Sequence, residues 1–141
     1  MKTKKLYYLA SPYSHSDPAI KKHRAEAVTE CAVDLLHHGV FVFAPISYNE
    51  PWEKYNLPGD WNFWCEFDKT FVARCDGGVI VLMIPGWEKS VGVTAEIEFA
   101  QSIGLPVYYA TPEQIKNGDL SFMKSSSTRA ETPLFCSGQK F

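Results

Sequence analysis

The stretch Ser90-Val91-Gly92-Val93-Thr94-Ala95-Glu96-Ile97-Glu98-Phe99-Ala100 places two carboxylates two residues apart, in a segment that reads as a helix from Val91 to Ile103, closed by Gly104. At about 100° per residue, Val93, Ile97, Ala100 and Gly104 share one side; Glu96 falls roughly 70° from its centre and Glu98 roughly 130° away. Glu98 is therefore expected in solvent and Glu96 at the border of the buried side. A carboxylate there is unfavourable unless it is hydrogen-bonded, paired or turned into a cleft. The early turns of a helix favour the anion, because their amides are unpaired and the dipole is positive. Glu96 is a candidate for an oriented, ionised carboxylate; a capping-box or ion-pair role is the alternative.

A second acid stands in Trp61-Asn62-Phe63-Trp64-Cys65-Glu66-Phe67-Asp68, continuing to Phe71. Among so many aromatics Asp68 is expected to border apolar surface, which raises a carboxyl pKa and suits a proton donor; a solvated helix position is the other reading. Asp76 reads as a turn residue beside Gly77. Ser11, Ser14 and Ser16 precede a helix start, where hydroxyls and amides can hold an anion such as phosphate or simply form the turn. Trp52, Trp61, Trp64 and Trp87 could stack on a base or fill the core.

Alternating strands and helices would position these groups. Leu6 to Ala10 reads as a strand. Asp17 caps a helix that begins at Pro18, carries Ala25, Val28, Ala32, Leu35 and Leu36 at helical spacing, and ends at His38 and Gly39. Val40 to Ala44 reads as a buried strand stopped by Pro45, and Ile46 to Asp60 as a long loop of the kind that carries function. Trp61 to Cys75 is expected to be helical, Gly78 to Ile84 a strand buried on both faces, and Pro106 to Tyr109 a fourth strand. Thr111-Pro112-Glu113-Gln114 opens a short helix.

Such an order implies an α/β fold, a Rossmann/flavodoxin-like three-layer sandwich around a mostly parallel sheet of four to five strands. Ligands then bind beyond the carboxyl ends of the strands. The candidate loops are Ser11 to Asp17, Pro45 to Asp60 and Pro85 to Val91. Residues 1–120 are expected to form the domain, and 121–141 a tail, mobile or packed on a neighbouring subunit.

Composition narrows the function classes. The 141 residues are 45% hydrophobic, with 14 basic and 16 acidic side chains and a formal net charge of −2. That is one domain's worth of core, too apolar for a disordered chain. It also lacks the basic excess of a duplex nucleic-acid binder. No apolar run approaches the roughly 20 residues of a membrane span, and Leu6 to Ala10 is too short for a signal peptide, so a cytoplasmic protein is expected. Cys31, Cys65, Cys75 and Cys136 form no CxxC pair and read as reduced thiols. His37 and His38 have poor ligand spacing, and no metal is expected.

The Ser90 to Ile97 segment follows an apolar strand and precedes a helix ending Ile103-Gly104-Leu105-Pro106-Val107. With the opening Tyr8-Leu9-Ala10-Ser11-Pro12-Tyr13 it resembles the nucleoside 2-deoxyribosyltransferase superfamily, which includes deoxynucleoside 5′-monophosphate N-glycosidases. The resemblance spans about Leu6 to Tyr109. It implies that Glu96 is a nucleophile attacking the anomeric carbon of the sugar, that Tyr8 steadies that carboxylate, and that Asp68 helps protonate the departing base. Ser90 stands where transferases acting on free nucleosides tend to carry an aspartate; a serine resembles the nucleotide hydrolases, where it contacts the 5′-phosphate. An aspartate would repel a phosphate dianion, whereas a hydroxyl can donate to it.

The first-loop arginine of some nucleotide hydrolases is missing, with His15 or Lys89 as substitutes. The implied substrate site comprises Ser11, Pro12, Tyr13, Ser14, Tyr48, Trp52, Trp87, Ser90 and Gly92. The resemblance also implies no cofactor, a small nucleotide or nucleoside as ligand, and a homodimer or homotetramer whose tail completes a neighbour's site. The expected activity is cleavage of the base–sugar bond of a nucleoside 5′-monophosphate. The rivals are base exchange on free deoxynucleosides and a nucleotide-binding module without turnover.

Overall fold

The computed structural model describes residues 3–124. Four parallel strands, β1 (Leu6–Ala10), β2 (Phe41–Phe43), β3 (Gly78–Leu82) and β4 (Val107–Ala110), lie in the order β2-β1-β3-β4. Five α-helices, α1 (Pro18–His37), α2 (Pro45–Asn49), α3 (Trp61–Arg74), α4 (Val91–Ser102) and α5 (Pro112–Lys116), alternate with them among the described residues. The result is a flavodoxin-like three-layer α/β sandwich.

Alternation along the strands divides the core in two. Leu9, Ile80 and Leu82 pack against Val28, Cys31 and Leu35 of α1 and Ile115 of α5. Tyr8, Ala10, Val79, Val81 and Val107 face the other way, onto Val72 of α3 and Val93 and Ala100 of α4. Every residue of β3 is buried, as expected of a central strand covered on both faces. Gly78 adopts φ +102, and a Cβ there would run into the Pro106 carbonyl; this close approach lets β3 and β4 pair.

Side-chain caps start three of the five α-helices described. Asp17 accepts the Ala19 amide at 2.9 Å and Pro18 follows it at the first helical position. Ser90 accepts the Val93 amide at 3.2 Å to start α4. Thr111 and Gln114 form a reciprocal capping box on α5. Asp76 accepts the Leu6 amide at 2.9 Å, tying the β3 junction to the start of β1.

Four expectations are corrected. The segment Ile46 to Asp60 is mostly helical, with α2 running into a 3-10 helix at Glu50–Tyr55: Pro45 and Pro51 stand at first-turn positions, where the missing amide proton is not needed. The second strand has three residues and lies at the sheet edge, with Phe41 exposed. The domain continues past residue 120, because a 3-10 turn at Ser121–Lys124 sends Phe122 into the core beside Leu120 and Met123. Glu98 is half-buried instead of open to solvent. The rest of the expected tail lies outside the described residues. No helix among the described residues is long and apolar enough to cross a membrane.

Candidate active site

The strand order reverses direction between β1 and β3, and a cleft opens there beyond the carboxyl ends, where ligands bind in such sheets. Tyr8, fully buried in β1, points away from the α1 layer and donates its hydroxyl to Glu96 Oε2 at 2.7 Å. Glu96, in the second turn of α4, is only 5% exposed. Packing of α3 on α4 brings Asp68 within hydrogen-bonding reach of Glu96. Two acids and a phenol thus meet in the layer between the sheet and the α3–α4 pair.

Removing these groups from water disfavours their charged forms. Burial, then the neighbouring Asp68 carboxylate, holds Glu96 well above the usual carboxylate range. Burial pushes Asp68 from its ordinary 3.8 up to about 6. Glu96 is pushed further than Asp68, so the proton of the pair rests on Glu96 in the free protein, in contrast to the ionised carboxylate expected from the sequence. Burial and then the Glu96 charge push the Tyr8 phenol well above 10.0, so it remains a donor. The arrangement offers an anion, a carboxylic acid and a fixed donor within one contact distance.

Glu96 and Asp68 face a cavity of about 860 Å³, within the range that holds small organic ligands. Its walls come from the loop after β1 (Ser11, Tyr13, Ser14), the segment after β2 (Asn49, Trp52, Glu53) and the α4 start (Ser90, Gly92), with Trp61 and Trp64 of α3 completing it. Four buried polar atoms, Ser11 Oγ, Asn49 Oδ1, Trp61 Nε1 and Asp68 Oδ1, have no hydrogen-bond partner among the described residues. All four belong to this lining. Such atoms are unfavourable in a finished core and normal in a site that awaits a ligand or water.

Sequence reasoning missed Arg24. This half-buried side chain of α1 lines the cavity, donating from Nη1 to the Ser14 carbonyl at 2.9 Å and from Nη2 to the Pro85 carbonyl at 3.2 Å. It therefore braces the loops after β1 and β3 with part of its five-donor fork. Gly86, at φ +99, leaves room for it, since a Cβ there would strike the guanidinium. The available signal was helical spacing: Lys21, Arg24 and Val28 lie on one stripe, with Val28 buried and the two cations one and two turns nearer the cleft. Lys21 pairs with Glu53 at 2.7 Å and sits over the Tyr13 ring. Burial, then a hydrogen bond to Glu53, raises the Tyr13 phenol, while the Lys21 bond lowers Glu53.

Of the expected substrate residues, Ser11, Tyr13, Ser14, Trp52, Ser90 and Gly92 line the cavity, and Tyr8 stands behind Glu96. Three do not line it. Pro12 is buried beneath its loop. Tyr48 sets its ring edge-on to Phe43 and Trp52 at centroid distances of 5.3 and 5.0 Å, and so supports Trp52 from outside. Trp87, half-buried, packs on Tyr109 at 5.6 Å against the α3–α4 core. His15 accepts the Asp17 amide at 2.9 Å within its own loop, whereas Lys89 reaches the cavity rim. The described residues contain no group of three His, Cys, Asp or Glu side chains placed to hold a metal ion.

The family described as Domain of unknown function (DUF1937) matches residues 5–111, a span that includes Tyr8, Arg24, Asp68, Ser90 and Glu96. No curated protein matches the chain.

Proposed function

We propose that this chain, which belongs to the DUF1937 family, is an N-glycosidase that cleaves the base–sugar bond of a nucleoside 5′-monophosphate through a glycosyl-glutamate intermediate. The observation that carries the reading is the buried contact of Tyr8, Glu96 and Asp68 on a cavity of about 860 Å³. The resemblance to the nucleoside 2-deoxyribosyltransferase superfamily supports the same roles.

Glu96 attacks C1′ as the C1′–N bond breaks, and Asp68 gives its proton to the departing base. The positive charge growing on the sugar favours the Glu96 anion, which sends the proton of the pair to Asp68 as the reaction needs. Tyr8 holds the carboxylate by one oxygen and leaves the other free to bond. Water then attacks C1′, Asp68 takes its proton, and the ester bond to Glu96 breaks.

The phosphate end is supplied by Arg24, Lys89 and Ser90. Ser90 uses its oxygen as an acceptor in the α4 cap, so its proton remains for a ligand. The first amides of α4 and its positive end add to the attraction. Arg24 thereby takes the role expected of His15 or Lys89. A base would lie toward Trp52, Trp61 and Trp64.

The test is to incubate ribo- and deoxyribonucleoside monophosphates with the protein and follow free base by chromatography, with Glu96→Ala as the blank. Release that depends on Glu96 and on the 5′-phosphate supports the reading. Release only with free nucleosides plus an acceptor base would make the protein a transferase. Nucleotide binding without release would make it a binding module.

A further inference from the structure

Of the four unpartnered buried atoms, Asp68 Oδ1 belongs to the acid already placed at the leaving group, and Ser11 Oγ to the loop expected to hold an anion. The other two, Asn49 Oδ1 and Trp61 Nε1, have no part in bond cleavage. Asn49 closes α2, beyond the edge strand β2, while Arg24 lies between the loops after β1 and β3. Asn49 and Arg24 thus line the cavity from different elements, α2 and α1. Glu50 and Glu53 follow Asn49 in the chain and line the cavity too, Glu53 paired with Lys21 at 2.7 Å, while the Asn49 oxygen has no partner.

We propose that Asn49 is a specificity-determining residue whose carboxamide oxygen accepts an N–H from an exocyclic amino group on the base, so that the preferred substrates are aminated nucleotides of the cytosine or adenine type. This rests on the function proposed above. A deaminated base of the same shape brings a carbonyl against the Asn49 oxygen, leaving two buried acceptors facing each other. Sites built around such a bond reject the analogue lacking the donor far more strongly than hydrophobic shape does.

The test compares base release from two pairs that differ only in that group: cytidine against uridine monophosphate, and deoxyadenosine against deoxyinosine monophosphate. The expected wild-type kcat/KM ratio favours the aminated member of the pair that is cleaved by about tenfold or more. Asn49→Asp, which keeps an acceptor, retains the preference; Asn49→Leu brings the ratio close to one while release still depends on Glu96. Equal or faster release from the deaminated member, or an unchanged ratio in Asn49→Leu, overturns the proposal. Should Asn49→Leu fail to fold, the wild-type ratio alone still decides. If no monophosphate loses its base, the function proposed above falls; if bases are released without the amino preference, this inference alone falls.

Discussion

The two faces of the sheet use the same strands for opposite purposes. On the α1–α5 side, Leu9, Ile80 and Leu82 meet Val28, Leu35 and Ile115 in a layer of apolar side chains. On the α3–α4 side the packing is just as close, yet Tyr8 and Glu96 are buried within it and Asp68 stands at its edge. Apolar contact on the first face supplies stability. The second face holds ionisable groups out of water, which is unfavourable for the fold and useful for chemistry.

The largest contrast should come from Glu96→Ala, expected to lower base release by about a thousandfold or more while nucleotide binding, followed by calorimetry, persists. On the other face, Leu35→Ala should lower unfolding free energy in urea by about 2–5 kcal/mol, with KM unchanged in the protein that remains folded.

The pH dependence of stability sharpens the comparison. The folded-state value of Asp68, about 6, lies above its ordinary 3.8, so the fold binds this proton more tightly than the unfolded chain does. Its contribution is most favourable below about 4 and is lost as pH rises through about 6. Asp68→Asn should remove that loss and gain up to about 3 kcal/mol relative to wild type at pH 8, measured by chemical denaturation. Leu35→Ala should keep the wild-type pH profile. Smaller again, Gly86→Ala should push Arg24 off the Pro85 carbonyl and raise KM for monophosphates by about tenfold, with kcat little changed.

How much could be read in advance follows the same division. The apolar run of β3, the helix starts at Asp17 and Thr111, and the period of α1 were legible because each is a local rule. Glu96 stood out as a misplaced charge, but its depth depends on α3 packing over α4, which no helical wheel contains. The helices after β2 were hidden because Pro45 and Pro51 look like breakers until their first-turn positions are known. Trp87 and Trp52 are alike in sequence, and only packing lays one on Tyr109 against the core and turns the other to the cavity. Arg24 was overlooked because its partners, Ser14 and Pro85, are 10 and 61 residues away in the chain.

The roles given to the buried face reduce to one covalent bond. Rapid acid quenching during turnover of a nucleoside monophosphate, followed by proteolysis and mass spectrometry, should find a sugar phosphate on the peptide that contains Glu96. The adduct should disappear in Glu96→Gln together with base release. Full-rate release by Glu96→Gln, or a sugar phosphate carried on a different residue, would contradict the assignment.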